Sequence, residues 1–260
     1  MAGSAPAATE ASRLMSASIK ERLWHKMRSD LAQFVPAVAA NNLLMCCACG
    51  RFLPQDDFDL EHLIPQQALK LDPSAVRMDP STPANVRARN LLLCKKPLKY
   101  KGNFLYGNGC NSWKGRHYDK AIRELVTGVT FRGASQHGVI IAALSLAYLA
   151  MVSQFGYQIV LLPSGLLMRE QFFNPTRFMP ALPIMSQMVL GTRDPIKDIS
   201  APMWKDPFSF GLRDGACDVA IRGFCIALPL ARDPRIPIVR HLEIVPRRYK
   251  LRPDFRTSLS

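Results

Sequence analysis

Four cysteines in a fixed order constrain this chain more than any other feature: Cys46 and Cys49 as Cys-x-x-Cys, then Cys94, then Cys110. Four thiolates in two pairs suit a tetrahedral zinc ion, which in structural sites is closed by protein ligands alone. Cys94 and Cys110 are separated by a 15-residue loop, 95–109, and only its ends need to meet. Cys47 competes with Cys46 for the first position, although the Cys46–Cys49 spacing, closed by Gly50, is the usual one for a zinc knuckle. The other reading, that these are buried small hydrophobes, leaves their clustering without a cause. Cys217 and Cys225 lie far along the chain and read as core thiols. Seven cysteines with a clustered trio argue against a secreted disulfide framework. Residues 1–12 lack the apolar run of a signal peptide, so a cytoplasmic location is expected.

A metal staple does not replace a core, and 48% hydrophobic residues among 260 provide for one. Leu14, Ile19, Leu23, Trp24, Met27 and Leu31 recur at helical spacing and predict a helix from Ala11 to about Gln33, with Pro36 beyond its end. Residues 41–60 read as a short hairpin, 66–89 as a proline-rich loop, Asn90–Cys94 as a strand and 111–126 as a helix stopped by Gly128. Gly138–Val152 carries no charge but is only 15 residues long. A spanning helix needs about 20, so a buried core helix within 136–155 is expected, and no membrane partner. Tyr157–Leu162 reads as a strand, as do short runs at Met185–Leu190, Asp218–Leu228 and Ile236–Val245. The class is α+β.

The net charge of +14 points to a polyanionic partner, nucleic acid first and an anionic membrane surface second. Residues 85–132 hold eleven Lys/Arg against Asp119 and Glu124, a local balance of +9. Within that stretch Lys99, Lys101, Lys114, Arg116 and His117 are candidate phosphate contacts. Tyr100, Phe104 and Tyr106 either stack on bases or pack the loop down.

Glu61-His62 has the chemistry to use such a substrate. A neutral imidazole takes a proton from water near pH 7. A carboxylate and a second oxygen ligand hold a hard divalent ion such as Mg²⁺. The amide oxygen of Asn111 can be that second ligand, and its neighbour Cys110 would tie it to the zinc.

The series C-x-x-C, E-H-L-I-P, N-L-L-L-C and G-C-N-x-W-K-G-x-x-Y-D resembles the HNH endonucleases of the ββα-metal (His-Me finger) group, over about residues 43–126. The resemblance implies His62 as general base, Asn90 as the residue bracing the loop that carries it, and Asn111 with Glu61 as ligands of the catalytic ion. It implies Cys46, Cys49, Cys94 and Cys110 as a structural zinc site. Asn rather than His at the third position favours Mg²⁺ or Mn²⁺ as the catalytic ion. Implied is a metal-dependent endonuclease hydrolysing phosphodiester bonds in DNA. The alternatives are a zinc-stapled nucleic-acid-binding module without cleavage activity and an RNA-directed nuclease. The expected organisation is a disordered tail (1–11), an N-terminal helix (12–40), the HNH nuclease domain (41–132) and an α+β accessory region (133–260) serving substrate choice or self-association as a homodimer.

Overall fold

A capping box opens the first helix. The Ser18 hydroxyl accepts from Glu21 N at 3.3 Å, and the Glu21 carboxylate accepts from Ser18 N at 2.6 Å. Two donors that have no partner within the helix are thereby satisfied, which sets the start of α1 (Ile19–Ala32). The computed structural model describes residues 18–71, 90–100, 103–106, 109–127, 136–161, 169, 172, 208–213, 216–221 and 224–229. The expected tail and the first residues of the expected N-terminal helix lie outside them. Trp24, Met27 and Leu31 form the buried face of α1, and the Trp24 ring meets Phe58 at 5.7 Å. A second short helix, α2 (Ala37–Asn41), follows, tied back by Arg28 through the carbonyls of Val38 and Leu43.

β1 (Leu44–Met45) and β2 (Phe52–Leu53) form the expected antiparallel hairpin. Its turn is closed by Cys46 N donating to Arg51 O at 2.9 Å and Gly50 N donating to Cys46 O at 2.8 Å. After a 3₁₀ turn at Gln55–Asp57, β3 (Phe58–His62) pairs antiparallel with β4 (Asn90–Cys94), in register from Phe58 opposite Cys94 to His62 opposite Asn90. The loop expected over 66–89 begins instead with α3 (Gln66–Leu71), and 72–89 lie outside the described residues. β5 (Leu98–Tyr100) and β6 (Asn103–Tyr106) make a hairpin of the 95–109 loop.

The single helix expected over 111–126 is divided into α4 (Gly109–His117) and α5 (Asp119–Thr127). The bond ladder runs across the break, with Tyr118 N on Lys114 O and Ile122 N on Tyr118 O, each at 2.8 Å. α6 (Gln136–Phe155) is the expected apolar helix and is buried on every side from Ile141 to Val152. Among the described residues, no helix is long and apolar enough to cross a membrane. Tyr157–Leu161 is a helix, α7, and not the expected strand. Ile159 and Val160 are β-branched and locally favour extension. The Asp30 carboxylate overrides them by accepting from Tyr157 N, which places a negative charge at the helix start. β7 (Phe208–Arg213), β8 (Ala216–Ile221) and β9 (Phe224–Pro229) form a three-stranded antiparallel meander, so the strand expected at 218–228 is resolved into two. The runs at 185–190 and 236–245 lie outside the described residues.

The fold is α+β, but its core does not divide at residue 133. Tyr148 of α6 donates its hydroxyl to Cys47 O at 2.6 Å, and Tyr157 of α7 donates to Met45 O. Burial holds both phenols well above the usual tyrosine pKa, so both remain donors. The backbone of the cysteine turn is thus held from behind by the region expected to be separate. Cys217, Val219 and Ile226 of the meander join the same buried cluster.

One glycine shows how tightly the segments meet. Gly109 has φ +75°, and a Cβ there would stand 2.6 Å from Cys94 O and 2.5 Å from Lys96 O. Gly109→Ala is expected to lower the unfolding free energy by at least about 1–2 kcal/mol, the cost of the left-handed backbone alone. Denaturant unfolding measures this, and an unchanged midpoint contradicts the close approach.

Candidate functional site

The β1–β2 turn, the end of β4 and the first turn of α4 converge on a buried cluster of sulfurs. The Sγ atoms of Cys46, Cys49 and Cys110 all lie within 4.8 Å of one another. Cys46 and Cys110 are 3.8 Å apart. That is far beyond the roughly 2.05 Å of a disulfide. It matches the edge of a tetrahedron, about 3.8 Å, when each sulfur stands about 2.3 Å from zinc. The cluster can therefore hold a metal ion such as zinc. Cys94 meets Cys49 and Cys110 without falling inside the mutual limit of the other three. The neighbouring Cys110, Cys46 and Cys94 thiols hold the Cys49 thiol well below the usual cysteine value.

Cys46 rather than Cys47 joins the cluster. Cys47 is buried outside it, and burial pushes its thiol up to about 12. Cys217 is a buried thiol of β8, as expected; Cys225 lies on β9 opposite Ala220.

Beside the sulfurs lies a second arrangement that sequence reasoning missed. Asn111 and Lys114 are three residues apart on α4 and share a face. Asn111 Nδ2 donates to Leu60 O at 3.5 Å, which turns its amide oxygen away from that carbonyl. Lys114 Nζ contacts Glu61 Oε1 at 2.6 Å, Asp119 Oδ1 at 2.5 Å and His62 O at 3.2 Å. Lys114 is only 1% exposed. The expected phosphate contact at Lys114 is thus corrected: it is an internal counter-ion. It sits in a basic run and so reads as surface charge. The available signal was its placement three residues after Asn111 and five before Asp119.

Burial would discharge Lys114, but the Glu61 and Asp119 carboxylates more than offset it and hold its pKa above the ordinary value. Burial pushes the Glu61 carboxyl up, and Lys114 only partly restores it. The trio carries one excess negative charge when all three are ionised. His62 is half-buried, with Gln66 Nε2 3.2 Å from its Nε2. Burial, then the nearby Lys114 ammonium, lower its pKa below 6.5. Asn90 is buried directly across the sheet from His62 and lines a cleft with Arg22, Lys26 and Gln154.

Arg116 and His117 are exposed on α4, with His117 over the Trp113 ring at 4.0 Å. Lys101 and the side chain of Lys99 lie outside the described residues. Lys95 and Lys96 pair with Asp59 at 3.8 Å and Asp57 at 3.2 Å, so part of the basic stretch is balanced by β3 and the turn before it. No family model, curated protein or solved structure matches the chain.

Two outcomes follow from the buried charge. Lys114→Met leaves Glu61 buried without its cation and is expected to cost about 3–5 kcal/mol of stability. Adding Glu61→Gln should recover part of that loss in the double mutant, as measured by chemical unfolding. His62 is expected to titrate below 6.5 in an NMR pH series, and higher in a folded Lys114→Met sample. Because the folded ring holds its proton more weakly than the unfolded chain, stability is retained above 6.5 and declines as pH falls below it through the folded value.

Proposed function

We propose that the chain is a zinc-stapled, metal-dependent endonuclease of the HNH type that hydrolyses phosphodiester bonds in DNA. The observation that carries this reading is the sequential assembly of β3, β4 and α4 around Glu61-His62, Asn90 and Asn111, with Asn111 next to a sulfur of the candidate metal centre. In this reading Cys94 closes the Cys46, Cys49 and Cys110 cluster as the fourth zinc ligand. These four cysteines would hold the zinc, which when bound would tie the start of α4 to the end of β4 and so hold Asn111 relative to β3.

The chemistry is divided among few groups. The hard oxygens of Glu61 and Asn111 fit Mg²⁺ or Mn²⁺, and the excess negative charge of the Glu61–Lys114–Asp119 trio attracts a cation. Glu61 and Asn111 would hold such an ion, which when bound would supply Lewis-acid polarisation of a phosphate. Lys114 holds Glu61 by one oxygen and His62 by its carbonyl, which positions both ends of the Glu-His pair. With its pKa lowered, His62 stays neutral at pH 7 and can take a proton from the attacking water. Asn90 opposes His62 across the sheet and steadies the strand end that presents it. Arg116 and His117 remain candidate phosphate contacts on the exposed side of α4.

A second reading has its own observation. Glu61 already has a cation in Lys114, which competes with a divalent ion. A chain in which Lys114 wins is a binding module.

Plasmid nicking with Mg²⁺ or Mn²⁺ separates the two. Wild type is expected to nick, and His62→Ala to fall about 10²–10⁴-fold, the usual contribution of a general base, while still binding DNA. Equal inactivity of the two proteins with intact DNA binding selects the binding module. Cleavage of RNA alone selects the RNA-directed reading. Metal analysis should find about one zinc per chain, lost together with folding in Cys110→Ser.

A further inference from the structure

The thiol cluster has a partner that the motifs do not name. Arg51 follows Gly50 at the end of the cysteine turn, and its guanidinium lies across the sulfurs. Nε donates to Cys49 Sγ at 3.3 Å, and Nη2 donates to Cys94 Sγ at 3.1 Å. The remaining N–H groups donate to Lys96 O at 3.0 Å and Pro97 O at 2.8 Å. One planar group thus bridges sulfurs from two chain segments and grips the two carbonyls that lead into β5. Cys94 Sγ also accepts Lys96 N at 3.2 Å, so two donors converge on one sulfur. Hydrogen bonds of this kind favour the charged form of an acceptor.

The electrostatics give the arrangement a purpose. A zinc ion with four thiolates carries two excess negative charges, and among the described residues no lysine ammonium contacts the four sulfurs, Lys96 meeting Cys94 through its backbone alone. A rigid guanidinium fork spans two acceptors at once, which a lysine ammonium cannot do as well. We propose that Arg51 is the counter-charge of the metal centre: it offsets the excess negative charge of the zinc–thiolate cluster and fastens to that cluster the root of the β5–β6 hairpin. The proposal rests on the zinc reading of the cysteines. It makes Arg51 a positioning residue for both the metal and the basic stretch that begins at Lys95.

The test uses the full chain loaded with Co²⁺ as a spectroscopic probe, with chelator competition for affinity and N-ethylmaleimide alkylation of the loaded form for sulfur reactivity. Arg51→Gln is expected to load the metal but bind it about 10–100-fold more weakly, the usual effect of removing a group that supports metal ligands. Its sulfurs should alkylate faster than those of wild type. Arg51→Lys keeps the charge without the fork and should fall between the two. An Arg51→Gln protein with wild-type affinity and alkylation rate overturns the proposal. If Arg51→Gln does not fold, Arg51→Lys decides alone: weaker binding with faster alkylation supports the proposal, and wild-type values overturn it. A wild-type chain without a thiolate-to-cobalt band overturns the zinc reading itself, a result distinct from any difference between the variants.

Discussion

The convergence of sulfurs from the β1–β2 turn, the end of β4 and the start of α4 is the constraint on which the other features depend. These segments are remote in sequence, and each is too short to hold its place alone. Cys110 must come within 3.8 Å of Cys46, which draws α4 onto the turn. Gly109 permits this because no side chain stands between it and the carbonyls of Cys94 and Lys96. When such a cluster binds a metal, the free energy of binding becomes folding free energy. The same convergence decides where Asn111 and Lys114 point, because they occupy the first turns of the pinned helix.

Around that anchor the molecule places its charges economically. Lys114 is buried between Glu61 and Asp119 and also holds the His62 carbonyl. A buried ion pair is weak evidence for stability, since desolvation offsets most of the attraction. Its value here is geometric. It fixes the direction of the Glu61 carboxylate and raises the local potential felt by the His62 ring. Arg51 plays the corresponding part at the sulfurs, with a planar fork in place of a point charge.

The apolar helix α6 gives this assembly its floor. It is buried along most of its length, and Tyr148 reaches from it to the backbone of the cysteine turn. That bond satisfies the Cys47 carbonyl inside the core, where leaving a polar group without a partner costs about 1–3 kcal/mol. Tyr157 serves Met45 in the same way from α7. The helices after residue 133 are therefore part of the structure that holds the site.

Much of the site was legible in the chain. Cysteine spacing fixed which sulfurs compete for one centre, and the apolar pattern at 90–94 and 136–155 gave a strand and a buried helix where they stand. These are local signals, set by side-chain period and by ligand spacing. What the chain alone did not reveal depends on partners distant in sequence. The helix at 157–161 depends on a carboxylate at Asp30, and the burial of Lys114 depends on Glu61, more than fifty positions earlier. The preference for Cys46 over Cys47, by contrast, was already set by the Cys-x-x-Cys spacing, and Cys110 arrives beside Cys46. By itself the sequence determined the inventory of thiols, imidazoles, carboxylates and cations. Tertiary structure decided which charges face solvent and which neutralise one another, because a long-range contact sets the dielectric and the nearest counter-ion, and spacing along the chain carries neither.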